Sequence, residues 1–173
     1  MIDLGDFIRD IPDFPKKGII FKDITPLLMD PVAMDEAIGQ LSKPYRNAGI
    51  EVVVGIEARG FIFAPAVARE IGAGFVPVRK PGKLPHKTVS REYALEYGTD
   101  TIEMHADAIA GGTKVLMLDD LLATGGTMAA ACEMVKDLGG DISGVEFLIE
   151  LCFLNGRDKL TDYEIRSLIR VEK

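Results

Sequence analysis

Two cysteines and two histidines are all that the chain holds of the side chains that most readily bind zinc, and no Cys pair sits at a ligand spacing. Neither a disulfide framework nor a structural zinc site is expected, and no metal-ligating residue is assigned. Cys132, on the apolar side of an expected helix, and Cys152, in an expected strand, read as small buried hydrophobes. Long apolar runs are also missing: the longest, residues 61–68, falls far short of the ~20 residues that span a bilayer. The first turns carry Asp3, Asp6 and Arg9 where a secretory signal has a basic start and an apolar stretch, so a cytoplasmic protein with no membrane partner is expected. Positive charge is in deficit, with 20 Lys and Arg against 27 Asp and Glu and a net charge of -7, which argues against nucleic acid as a partner.

What is present is 173 residues of 47% hydrophobic content, enough to bury one core, so residues 1–173 are read as one domain. Apolar runs alternate with longer helical patterns, which predicts an α/β fold with a central, mainly parallel sheet flanked by helices. Strands are expected over residues 52–56, 75–79, 115–118 and 145–151, nearly all apolar and therefore covered on both faces. Asp30 and Pro31 open a helix running towards Ala48, with Pro44 in its last turn. A second helix is expected from about Gly60 to Ile71, ending at Gly72, and a third from near Thr127 to Gly139. Between Lys80 and Asp100 little apolar periodicity survives, which fits either a lid over a binding site or a surface hairpin.

The chemistry concentrates in residues 115–127 (VLMLDDLLATGGT). Asp119 and Asp120 are expected at the carboxyl end of a buried strand, where open α/β sheets bind ligands. The turn of Ala123, Thr124, Gly125, Gly126 and Thr127 can aim backbone N–H groups, hydroxyls and a helix N-terminus at one phosphate, with the two glycines permitting close approach. The carboxylates would repel that phosphate and suit neutral hydroxyls or a hydrated cation, so a ribose 5-phosphate meets both halves. The spacing matches neither a P-loop nor a dinucleotide fingerprint. The competing explanation is a polar loop with a helix cap.

This segment resembles the phosphoribosyl diphosphate (PRPP) signature of the type I phosphoribosyltransferases. The resemblance implies that Ala123, Thr124, Gly125, Gly126 and Thr127 hold a 5-phosphate and that Asp119 and Asp120 face ribose hydroxyls. Residues 14–26 (FPKKGIIFKDITP), 55–61 (GIEARGF), 79–85 (RKPGKLP) and 95–98 (LEYG), with Leu121 and Leu122 inside the signature, are similar to the adenine branch of that family along nearly the whole chain. The implied fold adds a small N-terminal hood over about residues 1–30 and a flexible loop over about 81–100.

Each further motif has a physical reading beside the implied one. Glu57, Ala58, Arg59 and Gly60 follow a buried strand, and their N–H groups with the Arg59 guanidinium can grip a diphosphate; a surface charge at a helix start is the alternative. Arg79, Lys80 and Lys83 form a basic cluster suited to a polyanion, or a solvated loop edge. The resemblance makes this cluster reach the diphosphate across a homodimer interface. Phe21 can stack on a purine or belong to the core; the resemblance implies stacking on adenine, with backbone groups of Ile20 and Lys22 reading the base edge. Glu96 and Tyr97 can close over the site and exclude water, or be an exposed carboxylate and a turn-packing ring. By resemblance Glu96 transfers the purine proton, Tyr97 closes the cavity and Arg59 acts beside them. The implied reaction converts adenine and PRPP to AMP and diphosphate, with Mg²⁺ carried by diphosphate oxygens and water. A PRPP sensor without catalysis and an enzyme acting on xanthine, hypoxanthine or orotate are the rivals.

Overall fold

The computed structural model of the chain describes residues 2–94 and 98–173. The chain opens with a short 3-10 turn, Leu4–Phe7, and a hairpin of β1 (Arg9–Pro12) and β2 (Ile20–Asp23), followed by α1 (Thr25–Met29). Then come α2 (Pro31–Ser42), β3 (Val52–Ile56), α3 (Gly60–Ile71) and β4 (Gly74–Val78). A second hairpin, β5 (Thr88–Ala94) with β6 (Thr99–His105), precedes β7 (Lys114–Leu122), α4 (Gly126–Asp137), β8 (Asp141–Leu151) and β9 (Ile165–Val171).

Among the described residues the central sheet runs β4-β3-β7-β8-β9, and all four of its pairings are parallel. Alternation along each strand sends Val53, Leu116, Leu118 and Leu148 into a core with Leu41 of α2 and Phe63 and Val67 of α3. Val54, Met117, Leu122 and Phe147 face the other way, onto Met128, Ala131 and Val135 of α4 and Ile102 and Met104 of the hairpin. Both faces are covered, which is why the strand sequences are almost uninterrupted Val, Leu, Ile and Met. Each fully buried Leu or Phe contributes about 1.5–3 kcal/mol of transfer free energy.

Local signals explain several boundaries. The Asp30 carboxylate accepts hydrogen bonds from the N–H groups of Val32 and Ala33, both at 2.9 Å, so α2 starts where its cap and Pro31 predict. It stops short of the expected Ala48: Pro44 has no N–H to continue the ladder, and Lys43–Tyr45 tighten into a 3-10 turn. The helix of α3 ends at Gly72 in the left-handed conformation, as its sequence predicts.

The structure sharpens four further points. The strand expected over 115–118 continues to Leu122, because Leu121 and Leu122 pair with Ile149 and Glu150 of β8, so Asp119 and Asp120 lie within β7 near its end. Cys152 falls just past β8 in a 3-10 turn and is half-buried, whereas Cys132 is buried. The excursion after Lys80 is an antiparallel hairpin whose Val89 and Tyr93 pack against the core. Finally, β9 adds an edge strand. No described helix is long and apolar enough to cross a membrane.

Candidate active site

Parallel strands deliver their carboxyl ends to one edge of the sheet. The turns after β3, β4 and β7, which carry residues 57–60, 79–83 and 123–127, therefore converge there. At the end of β7, residues Asp119, Ala123, Thr124, Gly125, Gly126 and Thr127 line a cavity of about 80 Å³, together with Phe147. The space is small and suits a compact group such as a phosphate.

The turn has a sharply defined backbone. Gly125 sits at φ 76°, and a Cβ there would lie 2.3 Å from the carbonyl oxygen of Gly156. The reverse also holds: a Cβ on Gly156 would meet the Ala123 oxygen at 2.3 Å. The phosphate-sized cavity is thus braced by a backbone-to-backbone seam with the turn that follows β8. Both glycines are required for contact that close.

Asp120 is 5% exposed, and its Oδ2 lies 2.8 Å from Nε of Arg59. The alignment is that of an ion pair and not of a directed hydrogen bond, since Oδ2 has no hydrogen-bond partner among the described residues. Asp119 accepts the Asp120 N–H at 2.8 Å and abuts the start of α3, where a Cβ on Gly60 would come within 2.7 Å of its Oδ1. Burial, followed by the charge of Asp120, pushes the Asp119 carboxyl well above the ordinary range. Burial likewise raises Asp120, with Arg59 pulling in the opposite direction.

Arg59 reaches further than this ion pair. Its guanidinium also lies over the ring of Phe21, 5.1 Å from the centroid, which joins the N-terminal hairpin to the sheet edge. Phe14 packs edge-on against the same ring at 5.2 Å. Ile20 and Lys22 flank Phe21 on β2, which pairs only with β1 among the described residues, so one backbone edge of β2 makes no sheet partner. Ile20 is exposed, and the Lys22 ammonium binds Asp10 at 2.7 Å.

Glu57 organises the basic cluster. Its carboxylate accepts from Arg79 at 2.9 Å, from the Lys80 N–H at 3.0 Å and from the Lys83 ammonium at 2.7 Å. Burial opposes ionisation of Glu57, but Arg79, Lys83 and the Lys80 N–H outweigh it and hold the carboxyl down at about 2. The Glu57–Ala58 peptide is cis. The Lys80 side chain turns instead to Asp100, and it also lies near the Tyr93 hydroxyl at 3.4 Å. The Lys83 contact is as close as that of Arg79, so both side chains of the expected basic cluster meet at one carboxylate. Tyr93 and Asp100 were not anticipated, because only the pairing of β5 with β6 brings them beside Lys80. Glu96 and Tyr97 lie outside the described residues. No group of three or more His, Cys, Asp or Glu side chains able to hold a metal occurs among the described residues.

Residues 29–159 match the phosphoribosyl transferase domain family. The chain is 60% identical to an adenine phosphoribosyltransferase of Kosmotoga olearia over 168 residues, covering 97% of this chain and 99% of the relative. A crystal structure of adenine phosphoribosyltransferase from Thermoanaerobacter pseudethanolicus superposes with a TM-score of 0.94 at 52% identity, covering 97% of this chain and 98% of that one. The Saccharomyces cerevisiae enzyme, solved with adenine and an imino-altritol bisphosphate, superposes with a TM-score of 0.90 at 39% identity, covering 95% and 96% of the two chains. A phosphate-sized cradle beside paired carboxylates on a type I phosphoribosyltransferase scaffold agrees with this likeness, and the chain belongs to the phosphoribosyltransferase family, in its adenine branch.

Proposed function

We infer that the chain transfers the 5-phosphoribosyl group of PRPP to adenine, releasing diphosphate and giving AMP, a purine-salvage reaction. The observation that carries this reading is the cradle of Ala123, Thr124, Gly125, Gly126 and Thr127 set directly after Asp119 and Asp120, in a chain closely related to adenine phosphoribosyltransferases. In this reading the cradle receives the 5-phosphate, and the two carboxyls face the ribose hydroxyls. Residues 57–60 with Arg79, Lys80 and Lys83 surround the diphosphate. Phe21 stacks on the base, and Ile20 and Lys22 offer backbone groups to its edge.

The reaction forms a bond from a purine nitrogen to the anomeric carbon as the bond from that carbon to the diphosphate oxygen breaks. The sugar carbon gains cationic character, so water must be excluded from it. Glu96 is assigned the proton of the purine nitrogen, with Tyr97 closing the cavity. Asp120, whose charge Arg59 supports, is the carboxyl suited to balance positive charge at the sugar, while Asp119, whose ionisation burial opposes, is suited to hydrogen-bond a ribose hydroxyl.

Magnesium fits this donor set as an ion held mainly by substrate oxygens and water: Glu57 is already engaged by three donors, and burial disfavours the charge on Asp119. When bound it neutralises the leaving diphosphate. A cytoplasmic homodimer completes the proposal, supported by an exposed apolar patch in which Met29 is 83% exposed and Val32 64%.

The test offers PRPP and Mg²⁺ with adenine, hypoxanthine, xanthine or orotate separately and follows nucleotide formation by chromatography. AMP formed from adenine, with little product from the other bases, is the expected result. PRPP binding without turnover of any base would replace the enzyme with a sensor.

A further inference from the structure

The cavity at residues 123–127 has no Lys or Arg in its lining, although it is proposed to hold a phosphate dianion beside two carboxyls. Backbone N–H groups supply partial charges only, and the one nearby guanidinium, Arg59, is already paired with Asp120. A candidate for the missing cation comes from a distant part of the sequence. After β8 the chain makes the 3-10 turn Gly156–Lys159, which the Gly125 and Gly156 seam presses against the cradle. Arg157 fixes this turn from behind: it donates twice to Glu150, both at 2.7 Å, and once to the Ile165 carbonyl at 3.1 Å. At the end of the turn, Nζ of Lys159 lies 3.7 Å from the position a Cβ on Gly126 would occupy. It therefore stands beside the first residue of α4.

Lys159 makes no hydrogen bond or ion pair with another described residue. This is not for want of nearby carboxylates. Glu133 and Asp162 share a groove with it, but Glu133 faces Arg91 at 3.5 Å and Asp162 faces Lys136 at 3.4 Å. An ammonium with no partner among the described residues, next to the cradle residue Gly126 and on a turn braced by Arg157, has the chemistry of a phosphate ligand.

We propose that Lys159 is a substrate-binding residue that contacts the sugar 5-phosphate and supplies the full positive charge that the cradle lacks. The proposal rests on the reading of residues 123–127 as the 5-phosphate site. It also separates the two phosphate ends of the substrate: Lys159 serves the monoester, whereas Arg79 and Lys83 serve the diphosphate.

Calorimetric titration of ribose 5-phosphate and of inorganic diphosphate into wild type, Lys159→Gln and Lys159→Arg tests this. The expected result is about tenfold weaker binding of ribose 5-phosphate to Lys159→Gln, the scale of one exposed charge-assisted hydrogen bond. Diphosphate affinity should be unchanged, and Lys159→Arg should recover most of the loss. Binding of ribose 5-phosphate to Lys159→Gln within twofold of wild type overturns the proposal and leaves the cradle reading intact. An equal loss for both ligands also overturns it, since that is the signature of a general field or of a disturbed fold. If wild type itself binds neither ribose 5-phosphate nor PRPP, the cradle reading fails and Lys159 fails with it.

Discussion

Single side chains decide whether the sheet edge can act on a substrate. Gly125→Ala forces a side chain into a positive-φ position and against the Gly156 carbonyl. It should cost on the order of 2–3 kcal/mol of stability and abolish detectable ribose 5-phosphate binding, readable by thermal denaturation and calorimetry. Glu57→Gln acts differently, because the residue anchors other groups and stays ionised down to about pH 2. With its charge gone, Arg79 and Lys83 lose their common anchor, and KM for PRPP should rise several-fold with a smaller change in kcat.

Glu146 gives the residue scale its pH dependence. It is fully buried, accepts from Tyr45 and Arg166 at 2.9 Å each, and is raised by burial to about 7 from an ordinary 4.5. The folded state therefore holds a proton that the unfolded chain releases between about pH 4.5 and 7, so stability falls as pH rises through that window. The full effect is on the order of 3 kcal/mol, reduced in practice because Arg166 is partly exposed. Glu146→Gln should flatten the decline, with a higher Tm than wild type at pH 8 and little difference at pH 5. A parallel pH profile in the variant would show that another group titrates.

At the scale of elements, the hairpin of β5 and β6 is tied to α4 by Arg91, which faces Glu133 at 3.5 Å and binds Asp137. Arg91→Ala should loosen the hairpin against a helix whose first turn forms the cradle. Faster amide exchange is expected in residues 88–94, while β3 and β7 keep their protection. Which elements were legible follows from burial. The strand β3 and the helix α3 coincide with their predicted bounds because both carry strong apolar patterns and, for α3, a glycine stop. The edge strand β9 was not readable, since Arg166 and Arg170 interrupt its apolar residues and no position in it is fully buried. The N-terminal hairpin was missed, and the second was only one of two readings, for a related reason: their strands are short or half-exposed and keep only one face against the core. The site shows the same division. Its glycines, paired carboxylates and basic cluster are local in sequence, whereas Lys159, Tyr93 and Asp100 join it only through tertiary pairing.

For the whole molecule, Met29 and Val32 are both exposed, and Met29 joins Phe7 and Pro26 along a groove of about 380 Å³. A homodimer that buries this face should be split by Met29→Glu with Val32→Glu, giving a folded monomer in sedimentation velocity. An unchanged sedimentation coefficient would move the interface elsewhere.

The seam of Gly125 and Gly156 also sets an order on how the molecule comes into being. The signature residues leave the ribosome well before the turn against which they rest, so a nascent chain that has emitted 115–127 has the letters of the site without its wall. Fragments ending near Asp141 should be blind to ribose 5-phosphate, and competence should arrive only when the segment through Leu160 has folded back onto β7.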